Sequence, residues 1–222
     1  MNKTQLLQSL KEKSFSEDII TAFSKVHRES FIPKALEEKA YEDTALPIGY
    51  SQTISQPYTI AEMLSLLELK KGQKALKNHG FLAPQKQEVF KVLEIGSGCG
   101  YVLALLSEIV GEKGEVYGIE LIKELVESSK TNLKNYRNIK IYNKNGAEGL
   151  KEKSPFDRIL ISAAIDKIPL ALVKQLKENS IIIAPINSIY GGSSLTSFQK
   201  SKDKLIIKKE IPGFIFVPFV DD

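Results

Sequence analysis

Three groups of residues in this 222-residue chain have the types and spacing to do chemistry. The first is Lys91 to Tyr101, KVLEIGSGCGY, where Gly96, Gly98 and Gly100 break up an apolar run at alternate positions. Glycines so placed let backbone approach a ligand with no Cβ in the way. A helix beginning just beyond them, at Tyr101, offers unpaired N–H groups and the positive end of its dipole. The second is Glu120, near the end of the apolar run Glu115 to Leu121 and about 20 residues past the glycines, where a carboxylate can accept two hydrogen bonds from ribose hydroxyls. The third is Tyr41 to Tyr58, YEDTALPIGYSQTISQPY, in which Gln52, Thr53 and Ser55 are spare donors. They suit a substrate carboxylate or the polar end of a cofactor, and they equally suit an ordinary surface connection.

The glycine turn and the acid together point to a nucleoside-bearing ligand. The pattern is GxGxG followed by Tyr101, not the GxGxxG of a dinucleotide site, which shifts the expectation to S-adenosylmethionine.

The elements that must position these groups alternate strand and helix. Val92, Leu93 and Ile95 form a short buried strand, followed by a helix from Tyr101 to Val110, a strand from Glu115 to Leu121 and a helix from Lys123 to Leu133. Asn138 to Asn143 alternates with period two, and Asp157 to Ala163 is a nearly continuous apolar run, hence a central strand. A helix from Pro169 to Leu176, a strand from Ser180 to Ile186 and an antiparallel pair at Ser194 to Lys200 and Lys204 to Glu210 follow; Phe214 to Val220 is expected to close the sheet. Leu6, Leu10, Ile19, Ile20 and Phe23 recur at helical spacing before Pro33, forming a cap of helices that needs the main domain to pack on. Two prolines and a glycine forbid regular structure over much of Tyr41 to Tyr58, and Thr59 caps a helix from Ile60 to Leu69. The expectation is an α/β chain with a mostly parallel central sheet and antiparallel edge strands. In such a sheet ligands sit beyond the carboxyl ends of the strands, where the Gly96 turn, Glu120, Asn145 and Ser162 all fall.

Composition agrees. With 42% hydrophobic residues a full core is available, and the length suits a single domain, residues 1–222. Residues 1–58 are its cap and loop, and residues 59–222 its core. No apolar stretch is long enough to span a membrane, the N-terminus lacks a signal-peptide core, and a single cysteine, Cys99, suits a reducing cytoplasm. Two histidines and one cysteine do not make a zinc site. The net charge of +4 is spread along the chain with no basic stripe, which argues against a nucleic-acid partner.

YEDTALPIGYSQTISQPYTIAEML resembles the substrate-site segment of the protein-L-isoaspartate O-methyltransferases, and VLEIGSGCGY resembles that family's cofactor motif. FDRILISAAIDKIPLALVKQLK is similar to its later strand–helix unit and FIFVPFV to its C-terminal strand. The resemblance runs from about Phe31 to Val217, interrupted by an insertion at about 75–90. It implies a Rossmann-like methyltransferase fold, S-adenosylmethionine as cofactor, and methyl transfer to the free carboxylate of isoaspartyl residues in damaged proteins, with the protein acting as a monomer. It implies Ser55 as the catalytic residue, orienting a reactant and not attacking covalently. For the cofactor it implies Thr53, Ile54, Ser55, Tyr58, Glu94, Gly96, Ser97, Gly98, Gly100, Glu120, Leu121, Asn145 and Gly146, with no metal. A carboxylate acceptor is already ionised at neutral pH, so the chemistry asks for alignment and exclusion of water, not for a strong base.

The chain also departs from the family's pattern. Tyr58 stands where His is usual, Asn145 where Asp is usual before glycine, and Val220 where Thr is usual. In the insertion, Phe81 and Leu82 suit either a surface excursion or a partner contact. These departures leave open a methyltransferase with another acceptor, or a cofactor-binding protein without turnover.

Overall fold

The computed structural model describes residues 1–70 and 89–220. Its centre is a seven-stranded sheet with strands in the order β5-β4-β3-β6-β7-β8-β9. Strands β3 (Lys91–Ile95), β4 (Glu115–Glu120), β5 (Ile139–Asn143), β6 (Phe156–Ile161) and β7 (Leu176–Asn187) run parallel. Strands β8 (Ser193–Ser201) and β9 (Lys204–Phe214) continue the sheet antiparallel at one edge.

The central strands β3, β4 and β6 are buried along almost their whole length, which is why they read as nearly continuous apolar runs, while β5 at the sheet edge is only half-buried. Val92, Leu160, Ile181 and Ile183 share one core with helix α4 (Tyr101–Val110). Leu93, Ile95, Ile159, Ile161 and Ile182 share the other with helix α6 (Leu170–Gln175). Helix α5 (Lys123–Asn132) links β4 to β5.

The cap consists of α1 (Lys3–Glu12) and α2 (Glu17–Lys25). Ser16 caps α2 by accepting from the Ile19 N–H, and Glu17 and Asp18 fall in its first turn, where the dipole favours acids. Phe23 meets the edge of the Tyr101 ring at 6.2 Å, so the cap rests on the helix that follows the glycine turn.

Three expectations are corrected. The stretch from Tyr41 to Tyr58 is not irregular throughout: β1 (Leu46–Gly49) and β2 (Gln52–Ile54) pair as an antiparallel hairpin. Its turn residues, Tyr50 and Ser51, both take positive φ (54° and 58°), the geometry of a tight hairpin turn usually signalled by Asn or Gly. Helix α3 (Pro57–Leu66) begins at Pro57, which loses nothing at a first helical position that has no N–H partner, and not after Thr59. Finally, β9 closes the sheet and residues beyond Phe214 leave it. Gly213 turns the chain at φ +94°, Pro218 has no N–H for a ladder, and only a bridge between Pro218 and Ala164 remains. The reading of Phe81 and Leu82 lies outside the described residues.

At the amino ends of the strands Asp157 is fully buried. It accepts from Lys177 Nζ at 3.1 Å and from the Lys91 N–H at 2.9 Å, fixing the start of β3. Removing one member of such a pair strands a buried charge. Lys177→Met should lower the unfolding free energy by about 3 kcal/mol. A fall in the urea midpoint at unchanged slope is the expected reading, and an unchanged midpoint would show the pair to be dispensable.

Candidate active site

Strand β3 pairs with β4 on one side and β6 on the other, so the strand order reverses there and a crevice opens beyond their carboxyl ends. The glycine turn fills one side of it. Gly96 and Ser97 donate their N–H groups to Ile119 O at 2.8 and 3.1 Å, tying the turn to β4. Gly98, at φ +51°, donates to Glu120 Oε2 at 2.8 Å. Gly100, at φ +87°, holds a left-handed conformation that residues with a side chain rarely adopt, and a Cβ there would also crowd Leu133 Cδ1 at 2.6 Å and Ser129 Cβ at 3.2 Å. Asn132 of the same helix donates to Cys99 O at 3.1 Å. The Cys99 thiol is packed inside the turn, and burial pushes it up to about 11.

Glu120 also accepts the Ile122 N–H on Oε1 at 2.9 Å, so its carboxylate is fixed by two backbone donors, one on each oxygen. Each oxygen keeps a further lone pair. Asn143 buttresses the same strand end, donating to the carbonyls of Glu120 and Leu121 at 3.0 and 2.7 Å.

Three hollows meet in the crevice. The first, about 250 Å³, is lined by Gly96, Gly98, Glu120, Leu121 and Gly146, with Ile48, Gln52, Thr53, Ile122 and Ser162. Val217 to Val220 wall it on the far side. That C-terminal strap is held across the end of β6 by Ala164 N–H to Val217 O and Phe219 N–H to Ala164 O, both 2.8 Å. The second, about 730 Å³, is a groove lined by Thr44, Thr53, Ser55, Gln56, Tyr58 and Thr59 on one side and Ile211 to Val217 on the other. The third, about 40 Å³, lies behind the glycine turn and is lined by Ile54, Glu94, Ser97 and Tyr101 among others. Thr53 and Ser162 line all three.

The structure therefore divides the expected residues. Gly96, Gly98, Glu120, Leu121, Gly146 and Thr53 line the first cavity. Ser55 and Tyr58 line the groove, Ser55 reaching the small hollow as well. Tyr58 donates its hydroxyl to Glu62 at 2.9 Å and lies under Lys13 Nζ, 4.8 Å from the ring centroid. Ile54, Glu94 and Ser97 line the small hollow. Gly100 and Asn145 act one layer back, Asn145 Oδ1 accepting the Ala147 N–H at 2.8 Å to cap a short helical turn. The sequence places FIFVPFV as a strand of the sheet and not as a wall of this cavity, and it carries no signal for Ile48.

Glu94 is the most constrained charge in the site. It is 1% exposed, accepts one bond from Ser162 Oγ at 2.7 Å on Oε1, and its Oε2 has no partner. Burial, with the Glu120 charge adding to it against the Ser162 bond, pushes its carboxyl up to about 8. Ser97 Oγ beside the same hollow is likewise buried without a partner. Two orphaned oxygens beside the glycine turn can accept from a ligand ammonium, and a carboxylate there also attracts a sulfonium by charge, with no hydrogen bond. S-adenosylmethionine carries both cations as well as ribose hydroxyls, and so fits the residues present. A carboxyl raised by the fold favours the native state while it is protonated. Its contribution is fully present below the ordinary glutamate value and is lost as pH rises to about 8. Glu94→Gln should therefore flatten the decline in stability of the ligand-free protein between pH 5 and 8, followed by thermal unfolding; parallel curves for the two proteins would refute the burial argument.

The family model for protein-L-isoaspartate(D-aspartate) O-methyltransferase matches residues 1–222. A protein-L-isoaspartate O-methyltransferase of Ignicoccus hospitalis is 36% identical over 224 residues, covering 99% of this chain and 98% of its own. A solved protein-L-isoaspartate O-methyltransferase superposes with a TM-score of 0.80 at 29% identity, over 98% of this chain and 65% of that one. The Plasmodium falciparum protein of that description, solved with S-adenosyl-L-homocysteine, gives 0.80 at 25% identity over the whole of both chains. With the family model matched along the whole chain and a relative 36% identical over nearly the full length of both, the chain belongs to the protein-L-isoaspartate O-methyltransferase family.

Proposed function

We propose that this protein transfers the methyl group of S-adenosylmethionine to the free carboxylate of isoaspartyl residues in damaged proteins. The observation that carries the reading is the meeting of the first cavity and the groove at Thr53, Ser162 and Val217. A cofactor held by the glycine turn and a polypeptide lying in the groove share that one boundary. S-adenosylmethionine supplies, when bound, a methyl group activated by a sulfonium. The protein's own residues do the rest. Glu120 holds ribose hydroxyls on its remaining lone pairs, and Leu121, Ile122 and Phe219 give the base an apolar slot. Glu94 carries its negative charge toward the cofactor's cations once it ionises. Ser55, on the groove, orients the acceptor carboxylate, and the strap with β2 keeps water from the junction. No residue has to take a proton from the acceptor, because the carboxylate is already ionised. The mixed charge and single cysteine suit a cytoplasmic protein acting as a monomer on polypeptides, without membrane or nucleic acid.

Transfer of labelled methyl to an isoaspartyl peptide, beside the aspartyl peptide, tests the reading. Label on the isoaspartyl form alone is expected, and label on neither overturns it. Ser55→Ala should lower kcat by roughly tenfold or more with cofactor affinity and melting temperature retained; wild-type turnover would remove Ser55 from the mechanism. Cofactor binding at pH 7 should release a proton as Glu94 ionises. Calorimetry in two buffers of different ionisation enthalpy would show this as a buffer-dependent heat, absent in Glu94→Gln.

A further inference from the structure

Arg28 belongs to none of the groups above, yet it touches both halves of the site. It stands in a short helical turn after α2, with a side chain 0% exposed. Nη1 donates to Ser55 O at 2.9 Å and Nη2 to Thr44 O at 3.2 Å. The guanidinium lies on the Tyr101 ring, 5.4 Å from its centroid, and Nε has no hydrogen-bond partner. Among the described residues no carboxylate lies within ion-pair distance of it. A buried cation held by carbonyls and a ring alone is costly to keep, so its position calls for a reason.

The two carbonyls supply one. Thr44 precedes β1 and Ser55 follows β2, so a single planar fork grips both ends of the hairpin. Both residues line the groove. Tyr101 is the first residue of α4, directly after the glycine turn, and is itself wedged by Phe23 and Phe31. We propose that Arg28 is a positioning residue that sets the acceptor groove against the cofactor turn, holding Thr44 and Ser55 on one side and resting on Tyr101 on the other. The inference rests on reading the groove as the acceptor site. In-line methyl transfer tolerates little error in the distance from carboxylate oxygen to methyl carbon, and that distance spans these two halves. Lysine cannot replace arginine here, because an ammonium on a flexible stem lacks the rigid fork that reaches two carbonyls at once.

The test compares wild type, Arg28→Lys and Arg28→Ala on an isoaspartyl peptide, with S-adenosylhomocysteine binding measured on each. Wild-type transfer tests the proposed reaction independently of Arg28. With that in hand, Arg28→Lys should lose roughly tenfold or more in kcat/KM, with a fall in kcat, while cofactor affinity stays within about twofold. Arg28→Ala should lose more and regain activity on addition of methylguanidinium but not methylammonium at equal ionic strength. Should Arg28→Ala fail to fold, Arg28→Gln replaces it: its amide reaches one carbonyl and should behave as Arg28→Lys does. Full kcat/KM in Arg28→Lys, loss of cofactor affinity in step with activity, or equal rescue by the two cations would each overturn the assignment.

Discussion

Strand β3 is paired on both sides with parallel strands, and helices α4 and α6 of the two arms lie on opposite faces of the sheet. The chain therefore leaves β3 and β6 in diverging directions, and a crevice has to open between their carboxyl ends. The glycine turn at the end of β3, the acid at the end of β4, Ser162 at the end of β6 and the strap laid across it all face that gap. Even the cap of helices is placed by it. The cap packs on α4, and α4 begins where the turn ends.

Two buried ionisable groups without an ion-pair partner among the described residues lie near the junction of the hollows. Glu94 lies behind the cofactor turn, and Arg28 lies beneath the hairpin that walls the groove. Neither would survive as mere packing, since an apolar residue of similar volume would suit a dry interior better. In the free protein at neutral pH Glu94 is largely protonated and Arg28 is held by the carbonyls of Thr44 and Ser55.

The centre of the sheet was legible in the sequence because β3, β4 and β6 are buried along almost their whole length and flanked by glycine, acid and proline signals. The place of Glu120 at the crevice end of β4 was legible through its spacing from the glycines, whereas the hydroxyls of Tyr41 to Tyr58 suited a binding loop and a surface connection equally. The hairpin was not, because Tyr50 and Ser51 occupy turn positions without the usual Asn-Gly signal and Pro47 sits within a strand. FIFVPFV reads as a strand by composition, yet Gly213 and Pro218 draw it out of the ladder and leave Ile215 90% exposed. Arg28 lies in HRES, a run indistinguishable by type from solvated surface, and nothing local announces that the cap will cover it. Residues whose role depends on what packs over them from a distant part of the chain are the ones a single sequence conceals.

One more contact lies far from the chemistry. Arg158, buried at the start of β6, donates Nε to Leu67 O at 2.6 Å, just past the end of α3, and its guanidinium lies 5.6 Å from the ring of Phe90, just before β3. The chain's departure from α3 and its arrival at β3 are thus fastened to one side chain. What is threaded between those two anchors need not be measured by the fold, because the anchors and not the connection set where β3 begins. A foreign loop grafted between the two anchors should therefore leave β3, and the glycine turn that follows it, in place.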